Sequence, residues 1–177
     1  MRFLLLFCLF PFLSFSQDSL NMSVLGYVDY PNTKGIDIWG WVDSSGSEFA
    51  IVGLRDGVSV VDVTDPINPD EKFFIPDIYS TWRDIKTWGN YAYVTTESDT
   101  GLLIIDLSDM TGNTYWHVKD FISDNLNDTI HFEAAHNVYI DENGIAYIFG
   151  ASNPPGMSAP PNGAIFLKSL SNELFNK

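Results

Sequence analysis

The chain has 177 residues, with nine Lys or Arg against 23 Asp or Glu, so its net charge is −14 at pH 7. A surface this acidic repels nucleic acid and anionic membrane surfaces, and it leaves no basic stripe for phosphates. Composition therefore excludes a nucleic-acid-binding protein and favours cations over anions as ligands.

The first 16 residues predict a secretory signal peptide. Arg2 is followed by an apolar run from Phe3 to Leu13, and small residues precede Gln17. The run is shorter than the roughly 20 residues of a membrane span, so we expect cleavage rather than a membrane anchor. Cys8, the one cysteine, lies in this segment, so the mature domain lacks disulfides. We expect a secreted or cell-surface protein, and a Gram-negative bacterial source.

A hairpin pattern occurs three times and predicts an all-β fold. Each copy reads as an apolar run, a Gly-containing turn, a β-branched run and a polar turn. The copies span residues 48–69, 90–113 and 144–172, and each is preceded by a related segment, at 37–43, 84–90 and 137–143. A period of about 40 to 50 residues with four short strands is typical of a β-propeller blade.

The repeat divides the chain after the signal peptide, residues 17–177, into parts of a propeller. Residues 24–30 are predicted to be the outer strand of one blade, and residues 37–75 and 83–122 to be whole blades. Residues 136–168 supply three strands of a further blade. Propellers close with about four to eight blades. We therefore expect an incomplete propeller, the front part of a longer protein.

Several motifs, in order, resemble a known family of bacterial exported proteins. They are DIWGW (Asp37–Trp41), VVDVTDPINP (Val60–Pro69), WRDIKTWGNYAYVTTES (Trp82–Ser98), LIIDLSD (Leu103–Asp109) and AAHNVYID (Ala134–Asp141). Together they resemble the LVIVD repeat and the N-terminal portion of choice-of-anchor B family proteins. The resemblance implies an exported β-propeller-like domain without an assigned reaction. Full-length relatives carry C-terminal anchors or sorting signals, and this sequence shows no such tail.

Polar residues recur where the first strand of each unit begins. They are Asp37, Arg83, Asp84, His136 and Asn137. First strands of blades line the central channel, so we expect these side chains to converge at its mouth, where they could bind a polar ligand or a cation. His136 is the group among them whose ordinary pKa lies near neutrality. The structural alternative is that each side chain ties down a loop of its own blade.

Candidate metal ligands lie at and just before the start of the third unit. His131 and Glu133 alternate on one face of an extended segment, and His136 follows, but no zinc-binding spacing is present. Ca²⁺ is the other candidate because acidic turns occur at 43–48 and 141–144. Neither turn matches an EF-hand loop, and both are read as hairpin turns. No other cofactor is expected.

The tryptophans offer a carbohydrate platform as an alternative to core packing. Trp39, Trp82 and Trp88 fall in or beside inner strands, so we expect them to pack between blades. Trp116, on a predicted outer strand, is expected to be the most exposed.

Three function classes remain open. The first is an exported binding or scaffold module whose partner is an extracellular protein or a glycan. The second is an extracellular hydrolase or lyase, with His136 as the acid–base group and Arg83 stabilising an anion. The third is a structural component of the cell surface.

Overall fold

The computed structural model describes residues 22–123, 128–161 and 163–168, which form strands and turns. No helix in this part of the chain could cross a membrane. The predicted signal peptide, residues 1–16, lies outside the described residues. In chain order the strands are β1 (Gly35–Val42), β2 (Glu48–Leu54), β3 (Gly57–Asp62), β4 (Asp70–Pro76), β5 (Arg83–Trp88), β6 (Tyr91–Thr96), β7 (Leu102–Asp106), β8 (Tyr115–Val118), β9 (Asp120–Ser123), β10 (Asp128–His131), β11 (Asn137–Ile140), β12 (Ile145–Phe149) and β13 (Ala164–Lys168).

Three antiparallel sheets carry the repeat, and we call them blades I, II and III. Blade I is β1–β4, blade II is β5–β8 and blade III is β11–β13, each with its strands in chain order. The alanine shared by the repeats has the same place in each sheet. Ala50 pairs with Val61 in blade I, and Ala92 pairs with Ile105 in blade II. The predicted all-β class with four-stranded antiparallel blades is confirmed.

The core lies between the blades, because successive strand residues point to opposite faces of a sheet. One apolar layer joins blade I to blade II, and a second joins blade II to blade III. The hairpin turn between β11 and β12 also contacts the neighbouring blade. Gly144 has φ +74°, and a Cβ there would collide with the indole of Trp88. Glycine is required at this position for both reasons.

The predicted outer strand at residues 24–30 is not a strand, which is a correction to the sequence-based prediction. These residues make no ladder with any described strand. They run beside blade I instead, where Gly26 lies against Pro66 and Pro69 and the Tyr30 hydroxyl donates to Ser59 Oγ (2.8 Å). A strand needs a partner, and the described residues supply none at this edge.

The predicted outer strand of blade II, within 115–122, is divided in the structure. Strand β8 pairs with β7 only as far as Val118, opposite Leu102, because β7 begins there. Beyond it, β9 turns away and pairs with β10, with Phe121 opposite Ile130. Phe132 then enters the core with no exposed surface. The long connection after blade II is therefore largely a structural element.

Candidate functional site

The inner strands β1, β5 and β11 lie side by side, and acidic side chains connect them. Asp37 Oδ2 of β1 accepts a hydrogen bond from the backbone N–H of Ile85 in β5 (2.8 Å). Asp84 Oδ2 of β5 accepts in the same way from the N–H of Val138 in β11 (2.8 Å) and from the Asn137 side chain (3.1 Å). A carboxylate of one blade thus holds the inner strand of the next.

This arrangement matches neither expectation from the sequence, which were a ligand site at the channel mouth and attachment to a loop of the same blade. Asp37 and Asp84 do not tie down loops of their own blades, and their bonding oxygens are already engaged with the next blade. In addition, Lys86 Nζ lies 2.6 Å from Asp84 Oδ1. The side chains of Asp84 and Lys86 are 13% and 17% exposed, so the pair is shielded from solvent. These residues serve blade-to-blade attachment.

Arg83 is a buried structural residue. It is 2% exposed, and its Nε donates to the carbonyl oxygen of Leu54 (2.7 Å). Its terminal nitrogens donate to the Asp77 carboxylate and to the carbonyl oxygen of Ile78. Asp77 also meets His117 Nε2 at 3.0 Å. Burial alone would raise the pKa of Asp77, but the His117 hydrogen bond and the Arg83 charge hold that pKa below its ordinary value.

His136 occupies the corresponding position in blade III, yet its surroundings are open. Its Nδ1 lies 2.6 Å from Glu97 Oε1, and the side chains of His136 and Glu97 are 44% and 52% exposed. Its ring stacks on the indole of Trp82 with centroids 4.3 Å apart and planes 11° apart. The Trp82 Nε1–H donates to the His136 carbonyl oxygen (2.6 Å). We call Trp82, Glu97 and His136 the rim cluster.

The sequence alone did not assign Trp82 and Glu97 to this site. Trp82, Trp39 and Trp88 each contact the next blade, through His136, Thr87 and Gly144 respectively, as expected. Trp82 and Trp39 are nevertheless 37% and 40% exposed, so they are not core residues. Trp116 is less exposed than either. Trp41 is buried, with 8% of its surface exposed. One sequence feature could have pointed to Glu97: it directly follows β6, the strand that pairs with the inner strand β5.

The candidate metal ligands are separated into different hydrogen-bonded groups. His131 Nδ1 lies 2.7 Å from Asp120 Oδ1, and its Nε2 lies 3.3 Å from Glu133 Oε1. These carboxylates, Asp120 first, raise the pKa of His131. Glu133 also pairs with the Lys119 ammonium, which lowers the pKa of Glu133. His136 pairs with Glu97 instead. Within the described residues, no three acidic, His or Cys side chains form a metal-binding group.

The acidic turns considered for Ca²⁺ are closed by their own backbone. Asp43 Oδ1 accepts from the N–H groups of Ser45 (2.8 Å) and Ser47 (2.9 Å). Asp141 Oδ1 accepts from Asn143 and Ile145 (both 2.9 Å). The Ser45 hydroxyl, which also donates to Asp43 Oδ1 (2.7 Å), and these backbone bonds lower the pKa of Asp43, and the bonds from Ile145 and Asn143 lower the pKa of Asp141. The aspartates stabilise tight turns of the kind that Asp commonly forms with its own backbone.

Part of the chain matches a known repeat family. A family model for the LVIVD repeat matches residues 81–113, which include β5, β6 and β7 of blade II. Among solved structures, the extracellular domain of the putative one component system BT4673 from B. thetaiotaomicron is similar at 20% identity and a TM-score of 0.37. That match covers 68% of this chain, which spans 13% of the other chain's length. No curated protein matches. The chain therefore contains an LVIVD repeat within a propeller-like all-β fold.

Proposed function

We propose that this chain is part of an exported or cell-surface β-propeller of the choice-of-anchor B type, which works as a binding or scaffold module. In this proposal residues 1–16 are the signal peptide and residues 17–177 are a partial propeller. The LVIVD repeat and the motifs around it support the assignment. Attachment to the surface would use an anchor or sorting signal outside the described residues.

The rim cluster is the observation that carries a binding function. Hydrogen bonds within the fold already engage the polar groups of Asp37, Arg83 and Asp84. The side chains of Trp82, Glu97 and His136, in contrast, remain accessible to solvent. An exposed indole beside a carboxylate and an imidazole suits a neutral, hydroxyl-rich ligand. The indole can contact the apolar faces of such a ligand, and the carboxylate and imidazole can form hydrogen bonds with its hydroxyl groups. The chain's net charge of −14 disfavours an anionic ligand.

We therefore propose an extracellular glycan as the ligand of the rim cluster. A hydrolase or lyase is the second candidate, because the Glu97 carboxylate fixes the imidazole of His136 in the way a general base is held. Such an enzyme would work without Arg83, whose donors are already taken. A structural surface component is the outcome if neither binding nor turnover occurs.

The test is a binding and turnover assay with cello-, malto-, xylo- and N-acetylglucosamine oligosaccharides, followed by tryptophan fluorescence, thermal unfolding and release of reducing ends. A ligand at 100 times its Kd stabilises the folded state by about 2.7 kcal/mol, which raises the unfolding midpoint measurably. We expect Trp82→Ala and His136→Ala to weaken binding by about tenfold or more, which corresponds to about 1.4 kcal/mol.

The matched control is Tyr115→Ala. Tyr115 is also 37% exposed but lies on the outer strand β8, so its loss is expected to leave binding unchanged. Binding that survives both rim substitutions would place the site elsewhere and contradict the proposal. Reducing ends that appear with the wild type and disappear with a folded His136→Ala variant would instead establish the enzyme.

A further inference from the structure

The connection between blades I and II, residues 77–82, exposes a second aromatic ring beside the rim cluster. Tyr79 is 60% exposed and Trp82 is 37% exposed, and Thr81 between them is exposed as well. Cα atoms three residues apart in a chain are separated by no more than about 11 Å, so Tyr79 belongs to the immediate surroundings of Trp82. The exposed aromatic surface at this end of the blades is therefore larger than the rim cluster alone.

Hydrogen bonds from both blades hold the backbone of this connection. From blade I, the Arg55 carbonyl oxygen accepts from the Ser80 N–H (2.8 Å). From blade II, the Ser98 hydroxyl donates to the Tyr79 carbonyl oxygen (2.9 Å). The Ser80 hydroxyl accepts from the Trp82 N–H (3.1 Å) and donates to the Trp82 carbonyl oxygen (2.8 Å), and Ser80 is only 4% exposed. Because the backbone beneath both rings is already fixed, a ligand that contacts them does not have to order it.

Each of the two rings is covered on one face by a neighbouring side chain. The imidazole of His136 stacks on the indole of Trp82 with centroids 4.3 Å apart. The guanidinium of Arg55 lies over the ring of Tyr79, 5.8 Å from its centroid. The exposed surface that remains on each ring therefore lies on its other face and its edges. A single open aromatic face of this kind suits stacking against the apolar face of a sugar ring.

Polar groups accompany both rings, which suits a glycan better than a protein partner. The Arg55 guanidinium offers N–H donors beside Tyr79, and the Glu97 carboxylate offers acceptors at the rim cluster. The exposed hydroxyl of Thr81 lies in the connection between Tyr79 and Trp82. The centre of a protein–protein interface is more apolar than the rest of the surface, whereas the residues around these two rings are mostly polar.

We propose that Tyr79, supported by Arg55, forms a second sugar subsite, so that the ligand is a chain of at least two sugar units lying along residues 77–82. This inference rests on the proposed function, in which the rim cluster binds a glycan. A single sugar on Trp82 covers one ring and gains nothing from Tyr79. A longer chain gains a second stacking contact, at little cost in ordering the protein.

The experiment measures Kd as a function of the length of the sugar chain. The purified chain is titrated with the cello-, malto-, xylo- and N-acetylglucosamine series, from the monosaccharide to the hexasaccharide, and binding is followed by NMR. In the series that binds, we expect Kd to fall about tenfold once the saccharide is long enough to reach Tyr79, and then to level off, since one aromatic stacking contact is worth up to about 1.5 kcal/mol. A Kd that is independent of length overturns the second subsite.

Substitution of Tyr79 separates the second subsite from the rim cluster. Tyr79→Ala should bind the monosaccharide as the wild type does but lose the gain with length, whereas Trp82→Ala should weaken binding at every length. Tyr79→Phe keeps the ring and should keep the gain. Because Tyr79 is exposed, its replacement should leave the thermal unfolding midpoint unchanged. If Tyr79→Ala keeps the full gain with length, or weakens the monosaccharide as much as the longest saccharide, the second subsite is wrong and the rim cluster remains the site.

The matched control is Tyr27→Ala. Tyr27 is 82% exposed, but its neighbour Gly26 lies against Pro66 in the turn after β3, at the opposite end of that strand from Arg55. This variant should bind every saccharide as the wild type does, and a loss equal to that of the Tyr79 variant would contradict the assignment. If the wild type binds no saccharide of any length, the proposed function is wrong and the second subsite with it, and the exposed rings then suit a protein contact.

Discussion

Replacing Arg83 with Met is expected to lower the free energy of unfolding by about 3–5 kcal/mol, the usual cost of removing one partner from a buried ion pair. The substitution leaves the Asp77 carboxylate, whose side chain is 1% exposed, without its cation. It also leaves the carbonyl oxygens of Leu54 and Ile78 without their donors. Since small domains are stable by only about 5–15 kcal/mol, the variant should be close to unfolding at room temperature.

Urea denaturation followed by circular dichroism measures the effect. Arg83→Lys is the informative control, because Lys keeps the charge but lacks the planar fork that reaches three acceptors at once. We expect it to fall between the wild type and Arg83→Met. A loss below about 1 kcal/mol for Arg83→Met would show that the buried pair contributes little net stability, as surface pairs do.

Ile85→Ala is expected to cost about 2–5 kcal/mol, the range for truncating a fully buried aliphatic side chain. Ile85 has no exposed surface and lies in the layer between blades I and II. Its δ-methyl group is close to Gly53, where an added Cβ would sit 3.1 Å away. The surrounding backbone therefore has little room to collapse into the cavity.

The control for Ile85→Ala is the same substitution at the equivalent position of blade I. Ile38→Ala removes a side chain that is 62% exposed, so it should change the free energy of unfolding by no more than about 0.5 kcal/mol. Urea denaturation of both variants gives the comparison. Equal losses at the two positions would contradict the difference in burial between Ile85 and Ile38.

The repeat made the fold predictable, because each strand is encoded locally. The alternation around Ala50 and Ala92 and the turns that follow identify hairpins without reference to the rest of the chain. Residues 24–30 show the limit of this reasoning. Their alternating pattern suits a strand, but strand formation depends on a partner, which local sequence does not reveal.

The site was less predictable, because contacts between blades decide it. Asp37, Asp84 and Asn137 were correctly placed at the start of the inner strands, but the sequence does not say which neighbour a side chain will reach. Asp84 crosses to the next blade because the Val138 N–H points away from its own sheet. Trp82 is adjacent to Arg83 in sequence, yet one is exposed and the other is buried, since neighbouring residues face opposite ways.

Amide hydrogen exchange of the inner strands tests the central claim, that aspartates attach each blade to the next. In the wild type the N–H groups of Ile85 and Val138 should be protected, although neither takes part in its own sheet's ladder. In Asp84→Ala, protection of Val138 should fall sharply while Ile85, held by Asp37, keeps its protection. If Val138 exchanges in the wild type as fast as in Asp84→Ala, the carboxylate does not hold the strand, and the account is contradicted.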